Sequence, residues 1–254
     1  MLDPLAPFRL DGRTVVVTGA SSGLGARFAE VLAGAGATVV VTARREEHLE
    51  RLVARLPACV ALAGDIRERG HREALVRFAV ERTGRLDVLV NNAGVTDNVA
   101  AEDEDGAEFE RVVDVNLTAV FGLSQLAARH MIARGGGTIV NVASVLGLVG
   151  VGQIPQAAYA ASKGGVVNLT RELAAQWARK GVRVNALCPG WFPSEMTASM
   201  LSDESGRAWI RRKVPLGRPG DPGELDGALL YLASDASTYT TGVALAVDGG
   251  FCAV

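Results

Sequence analysis

Residues 14–33 read TVVVTGASSGLGARFAEVLA, and the fold follows from how this stretch changes character along its length. TVVVT at 14–18 is a β-branched run of strand length. Beyond it Leu24, Phe28, Val31 and Leu32 return at helical spacing. The turn between holds Gly19, Ser21, Ser22, Gly23, Leu24 and Gly25, with the glycines four and two residues apart. Bare backbone at such a turn can approach a bound pyrophosphate closely, and the amides that open the helix face it. A side chain at Gly23 or Gly25 would obstruct that approach. Glycine also suits an ordinary strand-to-helix turn, so the stretch alone leaves both uses open.

The same alternation repeats outward from this unit. Continuously apolar runs follow at 38–42, 59–63, 86–90, 138–144, 182–187 and 243–247. Runs without a polar face belong to strands covered on both sides. The stretches between them carry a period near 3.6, as in Leu49, Leu52, Val53 and Leu56. Strand and helix in alternation predict an α/β fold, a Rossmann-like, doubly wound, three-layer sandwich around a seven-stranded parallel sheet. Ligands of such sheets sit beyond the carboxyl ends of the strands, so the residues that follow each run matter most. LGRPGDPGE at 216–224 reads as a loop inside one domain spanning 1–254, not as a linker.

Composition narrows the function. Twenty-six basic and 28 acidic residues nearly cancel, which argues against nucleic-acid and polybasic membrane binding. The opening MLDPLAPFRLDGR lacks a signal pattern, and no window approaches the ~18 apolar residues of a membrane span. A soluble, cytoplasmic protein with small-molecule partners is expected. Cys59 and Cys188 lie in apolar runs and, with Cys252, make an odd number, so no disulfide is expected. His48, His71 and His130 are scattered without ligand spacing, which predicts surface imidazoles and no metal site.

The order of polar residues after the strands is more specific than any one of them. Asp65 and Ile66 follow the third run, and Asn91-Asn92-Ala93-Gly94 follows the fourth. Asn116 sits mid-helix, Ser144 ends the fifth run, Tyr159 and Lys163 come next, and Pro189-Gly190 ends the sixth. Together with the glycine turn, this series resembles the short-chain dehydrogenase/reductase family over nearly the whole chain. The resemblance implies a nicotinamide dinucleotide cofactor and Tyr159 as general acid/base, assisted by Lys163, Ser144 and Asn116. It further implies cofactor contacts from the turn, from Asp65 and Ile66 at the adenine, and from Asn92, Ala93 and Gly94 along the ribose. Tyr159, Lys163, Pro189, Gly190, Phe192 and Thr197 would complete that set.

A carboxylate ending the second strand would bond the adenine ribose and repel a 2′-phosphate, but Ala43 stands there, followed by Arg44 and Arg45. A guanidinium can grip a phosphate through two parallel hydrogen bonds. NADP is therefore preferred over NAD, with Arg44 as the nearer contact and Thr42 lining the pocket. Glu46 and Glu47 come next, so the arginines also fit a solvated helix start.

Tyr159 and Lys163, four residues apart in a helical pattern, share one face. Holding a phenol ionised near neutrality means lowering a pKa of about 10 by roughly three, about 4 kcal/mol, which an ammonium and an oxidised nicotinamide could supply together. Tyr159 would take the alcohol proton in oxidation and return it in reduction, while Ser144 would hydrogen-bond the substrate oxygen. Ser144 and Tyr159 stand fifteen residues apart, more than is usual in the family, with the surplus around 152–155 beside the substrate. Residues 190–215 read as a mobile lid, within which Trp191 and Phe192 fit either pocket wall or core. Arg211-Arg212-Lys213 reads as a solvated helix face rather than an anion site. Apolar helices at 117–131 and 166–177, with the C-terminal DGGFCAV, would by resemblance build a homotetramer. The substrate stays open: a secondary alcohol or its ketone in general, a 3-oxoacyl group on a carrier protein as the alternative. A non-catalytic dinucleotide-binding regulator or scaffold is the alternative of another class.

Overall fold

The computed structural model describes residues 3–254. All seven apolar runs become strands, with ends shifted by two residues or fewer: β1 (Thr14–Thr18), β2 (Thr38–Thr42), β3 (Cys59–Ala61), β4 (Val88–Asn91), β5 (Gly137–Val142), β6 (Val182–Pro189) and β7 (Ala244–Val247). They pair in parallel in the order β3-β2-β1-β4-β5-β6-β7. Strand order reverses between β1 and β4, so the loops leaving those strands diverge and open a crevice.

The helices are α1 (Gly23–Gly34), α2 (Glu46–Arg55), α3 (Arg69–Thr83), α4 (Gly106–Val113), α5 (Ala119–Ala133), α6 (Ala157–Trp177), α7 (Ala198–Ser202), α8 (Glu204–Lys213) and α9 (Asp226–Ala233). Side chains alternate across a strand, which explains why the runs needed no polar face. Val15, Val17, Val39 and Val41 point to one side, where α1 (Phe28, Leu32), α2 (Leu49, Leu52) and α9 (Leu229, Leu232) cover them. Val16 and Val40 point to the other, against α3 (Leu75), α5 (Leu123, Met131) and α6 (Leu173). Each such side chain contributes roughly 1.5–3 kcal/mol of burial. The edge strand β7 departs from this expectation of burial on both faces: its residues remain half-buried and Ala246 is exposed.

Three local features matter. Asn116 lies in a wider-wound π segment, Asp114–Thr118, between α4 and α5. The 190–215 stretch carries α7 and α8 and buries Ile210 and Val214. The imidazoles are half-buried rather than simple surface groups: His71 Nε2 lies 2.8 Å from Thr42 Oγ1 and His48 Nδ1 lies 3.2 Å from the Ser21 carbonyl. Each sits on a helix face turned partly inward. No helix among the described residues is long and apolar enough to cross a membrane.

Candidate active site

A cleft of about 1350 Å³ opens along the carboxyl ends of the strands. Every residue that the sequence assigns to cofactor or chemistry lines it except Asn116, which lies beneath. Gly19 (φ +69°) donates its amide to the Thr42 carbonyl at 2.8 Å, and a Cβ there would stand 2.7 Å from Ala93 Cα. At Gly25 a Cβ would come within 2.5 Å of Asn92 Nδ2 and collide with the Gly19 carbonyl. The loops leaving β1 and β4 are thus in backbone contact, and only glycine permits it. Thr18 Oγ1 stitches them by accepting the amides of Asn92 (3.0 Å) and Ala93 (2.9 Å). Ser22 opens α1 without a side-chain cap, so the helix presents its first amides at this cradle. A bare-backbone cradle against an uncapped helix end fits a pyrophosphate.

At the adenosine end the arginines divide differently from the expectation. Arg45 donates to Ser22 Oγ (2.8 Å) and Ser21 Oγ (3.0 Å), and pairs at 3.0 Å with Glu195 from across the cleft. Arg44 lines the cleft and, among the described residues, makes no ion pair or side-chain hydrogen bond. No sequence signal could join Arg45 to a glutamate 150 residues away. Asp65 lines the cleft, but its carboxylate is gripped by Arg67 at 2.7 Å, which holds it below the usual carboxylate range. Thr42 also lines it, with its hydroxyl donated to the Leu62 carbonyl at 2.7 Å. Thr197 shapes its own loop, donating to the Phe192 carbonyl (2.5 Å) and accepting the Ser194 amide (3.0 Å).

Ser144, two residues past β5, accepts the Leu146 amide at 3.1 Å and faces the cleft with Tyr159 of α6. One turn on, Lys163 Nζ donates to the Val142 carbonyl at 2.7 Å and lies 5.6 Å from the Tyr159 ring centre. Burial lowers the Lys163 ammonium to about 8. Burial also pushes the Tyr159 phenol up, with the Ser144 side chain pulling it partly back. Without a nicotinamide beside it the phenol is therefore not acidic, and the Lys163 ammonium, 5.6 Å from the ring centre, donates to a carbonyl. Asn116 is fully engaged by protein, donating to Val95 O (2.9 Å) and Ser162 Oγ (3.0 Å) and accepting the Val95 amide (2.9 Å). Ser162 in turn donates to the Tyr159 carbonyl at 2.7 Å. That serine was not singled out in the sequence; its place three residues after Tyr159, on the same helix face, is the only signal.

Beneath the site runs a second unanticipated chain. Asn91 Nδ2 donates to Asn141 Oδ1 (2.8 Å) and Ser124 Oγ (2.9 Å), and Asn141 Nδ2 donates to Thr170 Oγ1 (2.9 Å). At the substrate end the longer Ser144-to-Tyr159 loop supplies Gln153, which accepts Trp209 Nε1 at 2.7 Å, and Gln156, which donates to Asn98 Oδ1 at 2.8 Å. Trp191 meets Trp209 edge-on at 5.2 Å, and both Trp191 and Phe192 are buried while lining the cleft, so they serve as wall and core together. Among the described residues, no group of three or more His, Cys, Asp or Glu is placed to hold a metal ion.

Comparison with known proteins provides an independent line. A family model described as Enoyl-(Acyl carrier protein) reductase matches residues 19–252. The chain is 39% identical to 2-dehydro-3-deoxy-D-gluconate 5-dehydrogenase of Escherichia coli (strain K12), over 98% of this chain and 99% of the relative. It is 40% identical to galactitol 2-dehydrogenase (L-tagatose-forming) of Cereibacter sphaeroides, over 98% and 99%. The crystal structure of a gluconate 5-dehydrogenase from Burkholderia cenocepacia J2315, in complex with NADP and tartrate, matches with a TM-score of 0.95 at 38% identity, covering 99% of this chain and 100% of that one.

Proposed function

This chain belongs to the short-chain dehydrogenase/reductase family and is an NAD(P)-dependent oxidoreductase of alcohols, and we propose that Tyr159 relays the proton as it interconverts a secondary alcohol and its ketone. The observation that carries this reading is the single cleft holding the glycine cradle at one end and the buried Tyr159, Ser144 and Lys163 side chains beside it. When bound, the nicotinamide accepts a hydride in oxidation and supplies one in reduction. Tyr159 takes the alcohol proton in the first direction and donates it in the second. With its pKa raised by burial, the phenol of the free protein is protonated at neutral pH and ready to donate. Ser144 holds the substrate oxygen by a hydrogen bond. One of the three Lys163 N–H donors is fixed on Val142, leaving two for a ribose. Asn116 and Ser162 brace the loop at Val95 against the turn of α6 that carries Tyr159.

The turn at 19–25, Arg44, Asp65, Ile66, Asn92, Ala93, Gly94, Pro189, Gly190, Phe192 and Thr197 hold the cofactor. NADP is preferred over NAD: Ala43 offers no repelling carboxylate, Arg44 is uncommitted, and the Burkholderia neighbour holds NADP. One sheet with a core on each face supports a single domain. The Arg45–Glu195 contact across the cleft supports residues 190–215 as its lid. Three free thiols fit a cytoplasmic home, and the exposed Phe121 on α5 with the uncovered β7 fits a homotetramer.

The test follows NADPH absorbance across ketones, keto-sugars and acyl thioesters, the last arm covering the carrier-protein alternative. Tyr159→Phe is expected to lose about 10²- to 10⁴-fold in kcat while still binding NADPH. Full turnover by that variant refutes the reading. A wild type that binds NADPH and turns over nothing favours a scaffold.

A further inference from the structure

We propose that the substrate is a hydroxy acid whose carboxylate is held by Arg212; this rests on the proposed reaction and names its substrate class. Helix α8 presents Ser205, Ala208, Trp209 and Arg212 to the cleft, one stripe at helical spacing, while Ile210 and Val214 anchor the segment in the core. The basic triplet therefore splits, with Arg211 paired to Glu204 at 2.6 Å and Arg212 lining the cleft.

The charges lining the cleft then show what is left over. Two of its carboxylates are ion-paired, Asp65 to Arg67 and Glu195 to Arg45, while Asp203 caps α8 through the Gly206 amide and the Ser205 hydroxyl and keeps its charge. Arg111 is paired to Glu108. Among the described residues, two cleft-lining guanidiniums make neither an ion pair nor a side-chain hydrogen bond. Arg44 lies at the adenosine end and Arg212 lies beside Trp209 at the other. The substrate end thus carries one guanidinium without a partner, in addition to the Lys163 ammonium, whose hydrogen bond goes to the Val142 carbonyl. A neutral polyol or sterol would leave that guanidinium idle. A carboxylate matches the planar guanidinium fork through two parallel bonds and cancels a single charge. Trp191, Trp209, Ile154 and Met200 wall the space for the carbon frame.

The experiment uses matched pairs that differ only in charge, gluconate against gluconamide and 4-hydroxycyclohexanecarboxylate against its carboxamide. NADP⁺-linked turnover is read alongside quenching of tryptophan emission, which reports binding whether or not reaction follows. On at least one frame the acid should be favoured roughly tenfold, as expected of a solvent-accessible charge-assisted pair. The preference should shrink at high salt, fall to near unity in Arg212→Gln, and partly return in Arg212→Lys, with NADP⁺ affinity unchanged. A cyclohexanesulfonate arm separates carboxylate from sulfonate; tighter binding of the sulfonate than of cyclohexanecarboxylate overturns the assignment. So does an acid-to-amide ratio near one on both frames, no binding of either acid, or a ratio unchanged in Arg212→Gln. If the acids bind preferentially but are not turned over, the proposed reaction falls and the anion site stands.

Discussion

Adding one methyl group at Gly25 tests whether the cradle is as tightly built as it looks. Gly25 has no unusual φ, so Gly25→Ala imposes no backbone penalty and acts through contact alone. The new Cβ would sit 2.8 Å from the Gly19 carbonyl carbon and 2.5 Å from Asn92 Nδ2. Overpacking of that kind costs about 1–3 kcal/mol. Pushing Asn92 aside also strips its bonds to the carbonyls of Thr18 (3.0 Å) and Gly19 (3.3 Å), worth about 1–3 kcal/mol more. The sum, about 2–6 kcal/mol, lowers Tm by about 4–24 °C for a chain of this size. Circular dichroism melts with and without NADPH supply the assay, because a ligand at 100 times its Kd adds about 2.7 kcal/mol to the protein that binds it. The variant should melt early and gain nothing from NADPH. Gly34→Ala, at the end of the same helix with nothing within 4 Å of its Cβ, should change little. A Gly25→Ala protein that melts within about 1 °C of wild type and keeps its NADPH-induced rise refutes the packing argument.

Arg44→Asp should weaken NADPH binding by about ten- to a hundredfold with little change for NADH, read by cofactor fluorescence; a wild type that favours NADH contradicts the NADP preference. For Lys163 the sign is fixed by a folded pKa of about 8 against 10.5 for the free group. Folding then favours the neutral amine, so the penalty for burying the ammonium is full below pH 8 and fades as pH rises to 10.5. In urea unfolding of cofactor-free protein, wild type should gain roughly 3 kcal/mol on Lys163→Met between pH 7 and 10.5, and a flat difference would sink the claim. Sedimentation should give a particle of four 26.5 kDa chains, whereas a single-chain mass contradicts the homotetramer.

The strands, their parallel pairing and the cleft's place were legible because burial on both faces leaves a mark that survives without context: unbroken β-branched runs such as TVVVT. The glycine turn was legible as a bare-backbone approach to a pyrophosphate, whereas the packing of Gly19 and Gly25 against the loop at Asn92 and Ala93 came only with the fold. Partnerships between distant polar groups left no such mark. Glu195 looks like any surface glutamate until the fold carries it to Arg45, and Asp65 looks free until Arg67 turns back on it. Spacing along α6 brings Lys163 near Tyr159 without saying that its nitrogen will face Val142. Half-buried histidines escaped because a helix's outward face is read from its neighbours' polarity, not from what the next loop lays over it.

The carboxamides of Asn91 and Asn141, opposite one another in the pairing of β4 with β5, have a consequence for folding fidelity. Uniform valine ladders are nearly indifferent to sliding, and a slip by one position would still bury hydrocarbon. It would also strand two amides and their hydroxyl partners, Ser124 and Thr170, in the dry interior. At about 1–3 kcal/mol for each orphaned group, that is a large part of the roughly 5–15 kcal/mol by which a domain is stable at all. The pair therefore works as an alignment pin, rejecting shifted sheets that oily contacts would accept, and so keeping Ser144 level with the hydroxyl it must face.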